Sequence, residues 1–328
     1  MSVDKITIIV PCYNEEEVLP MFWARVPRVL ADIDGCSFSY IFVNDGSHDG
    51  TLDELRRLST EEDSVSYISF SRNFGKEAAM LAGLDRADGD AVVLMDADLQ
   101  HPPELIAEMV KWWREGYDDI AAKRADRADE GFIKGHVTNF FYYCLQKCSR
   151  FEVQRNVGDF RLLDRRCVMA LRLMREEQRY TKGLFTWIGY RKKEIPFHVA
   201  PRAGGKTTWN YFSLMNLALE GITSYSMAPL RLSSVLGFGV SILSLCYMVF
   251  VFARAMLYGD PVAGYPTIMT VLLFLGGVQL ISLGIIGEYL GRVFNESKKR
   301  PLYLIDEIDG ERVRYETRVE PVEKIIRK

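Results

Sequence analysis

The sequence predicts an α/β domain with a mostly parallel sheet, followed by two membrane-spanning helices. Strand-like and helix-like patterns alternate over the first hundred residues of the 328-residue chain. Charged residues are frequent up to about Lys206, whereas residues 232–287 contain only Arg254 and Asp260. Such a shift in composition indicates a change from aqueous to apolar surroundings.

The elements of the predicted sheet follow from residue patterning. Four short apolar runs rich in β-branched residues predict strands at 5–10, 40–44, 65–69 and 91–95. Helical patterns lie between and after them, from residue 15 onward and at 51–58, 76–86 and 102–114. Asn14, with Glu17 three residues on, is a predicted N-cap for the first of these helices. Alternating strands and helices favour a parallel sheet covered on both faces.

Polar segments follow three of these strands directly, at residues 11–15, 45–49 and 96–100. In open parallel sheets, ligands bind beyond the carboxyl ends of the strands. We therefore expect the three segments to form one site.

A divalent cation needs hard oxygen ligands, and Asp96 and Asp98 supply two. The D-x-D pattern is unspecific, because it also occurs at residues 32–34 and 88–90. Only Asp96 and Asp98 end an apolar strand. They are the predicted Mg²⁺ or Mn²⁺ ligands, and the other two pairs are expected to be solvated.

Two uncharged runs predict membrane spans, 22 residues at 232–253 and 23 residues at 265–287. Buried core helices are the weaker alternative, since uncharged runs of this length are uncommon in soluble proteins. The connecting hairpin carries one basic residue, whereas Arg292 and residues 298–300 follow the second run. The positive-inside bias therefore predicts cytoplasmic termini and a multi-pass protein of the inner (cytoplasmic) membrane.

These observations divide the chain into five predicted parts. They are a cytoplasmic catalytic domain (1–208), an interfacial amphipathic helix (209–230), two transmembrane helices (231–254 and 265–288) and a cytoplasmic tail (289–328). The tail alternates apolar residues and could form a small hairpin or a partner strand. A formal net charge of −3 predicts no nucleic-acid partner. A two-helix anchor buries little surface alone, which is compatible with a homo-oligomer.

Five motifs resemble one enzyme family. They read VPCYNEE (10–16), VNDGSHDGT (43–51), SRNFGKE (71–77), MDADLQHPPE (95–104) and GDFRL (158–162). The first four resemble family 2 glycosyltransferases of the GT-A fold. The fifth motif and the two spans narrow the resemblance to polyisoprenyl-phosphate glycosyltransferases, which include bactoprenol glucosyltransferases and relatives of dolichyl-phosphate mannose synthase.

The resemblance implies a role for each motif residue. Asp96 and Asp98 would sit at the metal and the diphosphate, Gln100 would face the sugar, and Lys76 would lie near the donor. The nucleoside pocket would be lined by Pro11, Tyr13, Glu15 and Asp45. His101 is expected only to help begin the helix at Pro102.

Asp159 is the carboxylate that the resemblance implies as a base or as an acceptor-orienting group. A phosphate monoester has a second pKa near 6, so the lipid acceptor is largely a competent nucleophile at neutral pH. We therefore expect Asp159 to position sugar or acceptor. Asp159→Asn should then lose less activity than loss of Asp98.

Recognition of a lipid phosphate implies cationic side chains before the membrane. Residues 202–209, RAGGKTTW, resemble the family's R-x-x-G-x-[S/T]-K-[Y/W] segment, but Thr208 occupies the usual lysine position. The predicted phosphate ligands are Arg202, Lys206 and Arg161. A solvated basic loop is the alternative for Lys206.

The resemblance implies inverting transfer of a hexose to undecaprenyl phosphate, with UDP-glucose as the first-choice donor. GDP-mannose, or a UDP-linked amino sugar, is the runner-up. A processive polysaccharide synthase is disfavoured because the chain contains no Q-x-x-R-W motif. A non-catalytic membrane scaffold is the remaining alternative, although it would have no chemical need for Asp96, Asp98, Gln100 and Asp159 together.

Overall fold

The computed structural model describes residues 3–125, 157–177, 179, 181–197 and 264–315, with scattered positions between 237 and 257. These residues belong to two compact units. The first contains the described residues up to 197 together with 300–315, and the second contains the described residues from 237 to 299. The predicted interfacial helix at 209–230 lies outside the described residues, as does most of the first predicted span.

The first unit is built on one nine-stranded sheet. Its order is β7-β5-β6-β4-β1-β2-β3-β8-β9. The strands are β1 (Asp4–Cys12), β2 (Cys36–Asn44), β3 (Val65–Phe70), β4 (Ala91–Leu94), β5 (Asp119–Arg124), β6 (Val157–Asp164), β7 (Lys192–Phe197), β8 (Ile305–Ile308) and β9 (Glu311–Arg312). Strands β1 to β4 are parallel to one another, as the sequence predicts.

The described residues of the first unit form six helices, α1 (Leu19–Leu30), α2 (Thr51–Glu61), α3 (Lys76–Arg86), α4 (Leu105–Arg114), α5 (Arg165–Leu173) and α6 (Thr181–Trp187). Alternate residues of β1 separate the two faces of the sheet. Ile6, Ile8 and Val10 join the cluster that includes Phe22 of α1, whereas Ile9 joins the cluster that includes α3. This period of two is the geometry of a strand buried on both faces.

The start of α1 differs from the prediction. The helix begins at Leu19, and the N-cap residue before it, Val18, makes no side-chain capping hydrogen bond. Asn14 instead adopts a left-handed conformation with φ 56°. Its Oδ1 accepts a hydrogen bond from the backbone N–H of His48 at 2.9 Å. The amide side chain therefore joins two loops at the sheet edge, and the local capping pattern was overridden by this tertiary contact.

Strand β6 runs antiparallel between β4 and β5. Its register pairs Leu94 with Arg161. Continuing that register by two residues brings Asp159 opposite Asp96, just beyond the carboxyl end of β4. A carboxylate distant in sequence is thereby added to the predicted ligand edge.

The tail returns to the sheet. Strand β8 pairs antiparallel with β3 and forms a hairpin with β9. Tyr303, just before it, is buried and stacks on Phe70 at 5.1 Å between ring centroids. The tail is thus both a hairpin and a partner strand, and it covers the edge of β3 that would otherwise be exposed.

The described part of the second unit is dominated by α7 (Tyr265–Ser297), a helix of 33 residues. It runs nine residues beyond the predicted end of the second span. Within it, Phe274–Ser297 is the one described helix long and apolar enough to cross a membrane, with a mean hydropathy of 1.4. Large side chains such as Leu272, Leu280 and Ile281 are more than half exposed. This outward-facing apolar surface is typical of a membrane-associated helix.

Candidate active site

A cavity of about 290 Å³ opens at the carboxyl ends of β1, β2 and β4. Seven residues expected from the sequence line it: Pro11, Tyr13, Glu15, Asp45, Lys76, Asp96 and Asp98. Its other lining residues are Cys12, Asn73, Gly75, Ala79 and Ala97. Four separate segments of the chain therefore meet here, at the sheet edge where the strand pattern predicts a site.

The acidic side of the cavity is shaped by a tight turn after β4. Leu99 adopts a left-handed conformation with φ 55°, which is uncommon for a residue with a side chain. The backbone N–H of Gln100 donates to Oδ1 of Asp98 at 3.1 Å across the turn. As a result, ligand atoms of Asp96, Asp98 and His101 lie within 4.8 Å of one another.

Lys76, at the start of α3, joins two of the predicted acidic residues. Its Nζ lies 2.6 Å from Oδ1 of Asp96 and 3.0 Å from Oδ2 of Asp159. Burial opposes the charge on Lys76, but the two carboxylates outweigh it and raise the pKa of the amine. The side chain remains 42 % exposed, so this ammonium group is accessible from the cavity.

The two carboxylate oxygens of Asp159 differ in their hydrogen bonding. Oδ2 accepts from Lys76, whereas Oδ1 is buried and has no hydrogen-bond partner among the described residues. Burial disfavours the carboxylate, but the charge and hydrogen bond of Lys76 together with the charges of Lys182 and Arg161 outweigh it and lower the pKa of Asp159 to about 2. Asp159 is therefore ionised at neutral pH, with an acceptor atom left for a further group.

Asp45 braces a loop as well as lining the cavity. Its Oδ1 accepts from the backbone N–H of Phe74 at 2.6 Å, and its Oδ2 accepts from that of Gly75 at 2.9 Å. Burial raises the pKa of Asp45 even though both hydrogen bonds favour its ionised form. Gly46 is also required by this loop contact, because a Cβ there would overlap the backbone of Arg72 and Asn73.

Arg161 is not an acceptor-phosphate ligand, contrary to the sequence expectation. It is 1 % exposed, and its Nη1 lies 3.0 Å from Oδ2 of Asp119, which is fully buried. Its Nη2 donates to the carbonyl of Gly158 at 3.0 Å, and the guanidinium covers the ring of Phe185 at 3.6 Å. Residue type suggested phosphate binding, but β6 directs this side chain into the core. Arg202 and Lys206 lie outside the described residues.

His101 is the residue whose place in the cluster the sequence analysis missed. It is 6 % exposed and stacks on Phe160 with 4.9 Å between ring centroids. Burial lowers the pKa of His101 although Asp96 and Asp98 act in the opposite direction. A histidine three residues after Asp98 was the available signal, but only the turn at Leu99 brings it beside the carboxylates.

The other two D-x-D pairs are solvated, as expected. Asp32 and Asp34 are exposed near the end of α1, and Asp88 and Asp90 are exposed before β4. Sequence context therefore separated the clustered pair from two similar patterns.

Comparison with known proteins agrees with this geometry. The family model "Glycosyl transferase family 2" matches residues 7–172, which include every residue lining the cavity. The chain belongs to glycosyltransferase family 2. This family 2 glycosyltransferase has the GT-A-like α/β fold that the motifs imply. A second model, "GtrB C-terminal hairpin", matches residues 228–293.

Several relatives resemble this glycosyltransferase along nearly its whole length. An uncharacterized glycosyltransferase of Synechocystis sp. is 46 % identical, covering 93 % of this chain and 96 % of its own. A bactoprenol glucosyl transferase of Shigella phage SfV is 42 % identical, covering 92 % and 98 %. Among solved structures, a mannosyltransferase of Pyrobaculum calidifontis in complex with GDP-Man and Mn²⁺ is 16 % identical, with a TM-score of 0.44 and coverage of 85 % and 87 %.

Proposed function

We propose that this glycosyltransferase moves glucose from UDP-glucose to undecaprenyl phosphate with inversion at the anomeric carbon, giving a polyprenyl-phosphate sugar. The observation that carries the proposal is the cavity lined by Lys76, Asp96 and Asp98, with Asp159 paired to Lys76. The bactoprenol glucosyl transferase relative, at 42 % identity, supports the donor sugar and the lipid.

The first step is donor binding on the β1, β2 and β4 side of the cavity. Pro11, Tyr13 and Glu15 would line the nucleoside end, with Asp45 holding the loop that carries Gly75 and Lys76. Lys76 presents a cation where a diphosphate would lie. Gln100 is retained as the proposed sugar-facing residue because it directly follows the Asp98 turn.

The residues at the acidic side fit a divalent cation. Asp96 and Asp98 offer hard oxygen atoms, and the uncommitted Nδ1 of His101 and Oδ1 of Asp159 have no hydrogen-bond partner among the described residues. Mg²⁺ or Mn²⁺ bound there would neutralise charge on the departing nucleoside diphosphate. Asp96 and Asp98 are therefore the proposed ligands.

Asp159 acts as a positioning carboxylate in this proposal. A group with a pKa of about 2 is a weak proton acceptor at neutral pH. The acceptor phosphate, with a second pKa near 6, has already lost most of its proton and needs little general-base help. We assign Asp159 to positioning the sugar or the acceptor, and its Oδ1 has capacity for one further hydrogen bond.

The position of the tail supports a membrane topology with an even number of crossings. Strand β8 belongs to the same sheet as β1, so the chain between them must cross the membrane an even number of times. Helix α7 supplies one crossing, and the hairpin match at 228–293 supports a second before it. We accordingly propose two spans near 231–254 and 265–288, an interfacial helix at 209–230, and a catalytic domain (1–208) and tail (289–328) on the cytoplasmic side of the inner membrane. Arg202 and Lys206 would face the lipid phosphate at the membrane surface.

The test is transfer of radiolabelled sugar from UDP-glucose, UDP-N-acetylglucosamine or GDP-mannose to undecaprenyl phosphate by the detergent-purified full chain. Reactions contain Mg²⁺ or Mn²⁺, with EDTA as the control. We expect metal-dependent labelling of the lipid from UDP-glucose. Asp32→Asn, in a solvated D-x-D pair, is the matched control variant and should retain activity, whereas Asp96→Asn should lose it.

Labelling from GDP-mannose or the amino-sugar donor alone would reject glucose while keeping the reaction class. Absence of labelling from every donor, with folded protein and intact lipid, would reject the acceptor and favour a scaffold.

A further inference from the structure

We propose that His101 is the third protein ligand of the divalent cation, beside Asp96 and Asp98, and that the site therefore prefers Mn²⁺ to Mg²⁺. This inference rests on the proposed function, because it concerns the cation of the same cavity. It assigns the role of a residue that the motifs leave to helix initiation.

The first argument is geometric. Ligand atoms of the three side chains lie within 4.8 Å of one another. Opposite ligands on an octahedral ion stand about 4.2 Å apart, which is twice a bond length of roughly 2.1 Å. Neighbouring ligands on such an ion stand about 3.0 Å apart, so the three side chains, which lie within 4.8 Å of one another, need to close by at most about 1.8 Å to share it.

The second argument is the unmet bonding capacity of the imidazole. His101 is 6 % exposed, and its Nδ1 has no hydrogen-bond partner among the described residues. Leaving a buried polar atom unpaired costs about 1–3 kcal/mol. Such atoms are rare in folded proteins, and a cation bound within this cluster would offer the imidazole the partner that it lacks.

The third argument is that the ring is already held in position. It stacks on Phe160 with an interplanar angle of 24°, and it lies 5.7 Å from the ring of Phe197. Both aromatic residues belong to the sheet, in β6 and β7. A ligand held by packing loses little conformational freedom when the ion binds.

A nitrogen ligand has a consequence for metal choice. Carboxylate and carbonyl oxygens suit both Mg²⁺ and Mn²⁺, but Mg²⁺ is the harder ion and gains less from an imidazole nitrogen than the transition metal Mn²⁺ does. Adding His101 to Asp96 and Asp98 should thus raise the affinity for Mn²⁺ more than that for Mg²⁺.

The test uses the full chain in detergent with Mn²⁺ as the probe. Electron spin-echo envelope modulation of bound Mn²⁺ should show coupling to an imidazole ¹⁴N nucleus in the wild type. The coupling should be absent in His101→Phe, a variant that keeps an aromatic ring against Phe160. We expect the Mn²⁺ Kd of that variant to rise about 10- to 100-fold, by analogy with other losses around metal sites, and the preference over Mg²⁺ to shrink.

A second variant separates ligation from packing. His101→Gln removes the ring but keeps a metal-binding side chain, so it should bind Mn²⁺ better than His101→Phe if His101 is a ligand. If His101 has only a structural role, His101→Phe should instead bind Mn²⁺ better than His101→Gln. The variant that keeps an aromatic ring would then also have the higher melting temperature. Thermal melts of both variants show whether each is folded.

Mn²⁺ that binds in an Asp98-dependent manner without ¹⁴N coupling, and with unchanged affinity in His101→Phe, would overturn this inference and leave the proposed function standing. A chain that binds no Mn²⁺ at all, or binds it independently of Asp98, would reject the metal site itself.

Discussion

Two ion-pair clusters lie next to each other on β6 and differ in their exposure to solvent. The cavity cluster joins Lys76 to Asp96 and Asp159, with side-chain exposures of 42 %, 29 % and 15 %. The core cluster joins Arg161 to Asp119, with exposures of 1 % and 0 %. Asp159 and Arg161 are only two residues apart, which in a regular strand places them on one face.

The difference lies in access to solvent, since each cluster holds one buried polar atom without a hydrogen-bond partner among the described residues, Oδ1 of Asp159 and Nε of Arg161. Arg161 is occupied by Asp119, Gly158 and the ring of Phe185, so no water or substrate reaches it. Asp159 keeps an unpartnered oxygen beside an accessible ammonium group. The comparison shows that residue type alone does not tell whether a cationic side chain binds substrate or stabilises the core. Packing decides it here, because α6 covers the guanidinium group of Arg161.

The largest effect is expected from breaking the core cluster. Arg161→Met would leave the Asp119 carboxylate buried without its partner. Loss of one member of a buried ion pair typically destabilises a protein by about 3–5 kcal/mol. The measurement is the free energy of unfolding of the detergent-purified chain, or its melting temperature.

The matched control is the double variant Arg161→Met with Asp119→Leu, which removes both charges and should recover most of the lost stability. Equal destabilisation in the single and double variants would mean that packing, rather than the ion pair, holds this part of the sheet.

A loss of activity without a loss of stability is expected at Asp98, which lines the cavity beside the cavity cluster. Asp98→Asn should lower kcat/KM by more than about 100-fold, equivalent to about 2.7 kcal/mol of transition-state stabilisation. Because Asp98 is only partly buried, the free energy of unfolding should change by no more than about 0.5 kcal/mol. Radiolabelled transfer kinetics and thermal melts measure the two quantities.

Asp159→Asn sharpens this prediction. If Asp159 positions the sugar or the acceptor, Asp159→Asn should lower kcat/KM less than Asp98→Asn does, because an amide oxygen still accepts a hydrogen bond. Losses of equal size in the two variants would argue that the negative charge of Asp159 is itself required.

A third ion pair, toward the opposite edge of the sheet, is intermediate between the cavity cluster and the core cluster in its exposure to solvent. Glu307 of β8 accepts from Arg56 at 2.6 Å and from the hydroxyl of Tyr67; it is 5 % exposed, whereas Arg56 is 44 % exposed. The hydrogen bond from Arg56 outweighs burial and lowers the pKa of Glu307 to about 2. The stabilisation is therefore fully present above the ordinary glutamate pKa near 4.5 and is lost as the pH falls toward 2.

We expect Glu307→Gln to lower the free energy of unfolding by about 1–2 kcal/mol at neutral pH. The loss is moderate because solvent screens the half-exposed arginine. The variant should also lose less stability than the wild type between pH 5 and about 2. Unfolding free energy measured across this range tests both points. Glu311→Gln, on the exposed strand β9, is the control; a response as large as that of Glu307→Gln would reject a specific role for the Arg56 pair.

The same distinction explains which elements were predictable. Strands β1 to β4 and helices α2 and α3 were predicted within a few residues, because each carries its own hydrophobic period. Strands β5 to β7 escaped prediction, since their pairing depends on partners far along the chain. The end of α7 was also predicted too early, because the helix continues through polar residues as far as Ser297.

The candidate site divides in a similar way. Pro11, Tyr13, Glu15, Asp45, Asp96 and Asp98 were expected there because they belong to the polar segments that follow three strands, and Lys76 was expected from the family resemblance. The structure brings all seven around one cavity. The cap at Asn14 and the role of Arg161 were wrong, since each side chain found a partner on another element. Sequence patterns describe neighbours along the chain and say nothing of such contacts.

The sequence by itself determined the parallel half-sheet, the edge at which polar segments meet, and the family of the enzyme. Only the tertiary structure decided that Asp159 meets Lys76, that Arg161 is buried, that His101 joins the carboxylates, and that the tail completes the sheet. The reason is physical. Local propensity and hydrophobic period depend on residues a few positions apart, whereas burial and charge pairing depend on which distant segments the fold brings together.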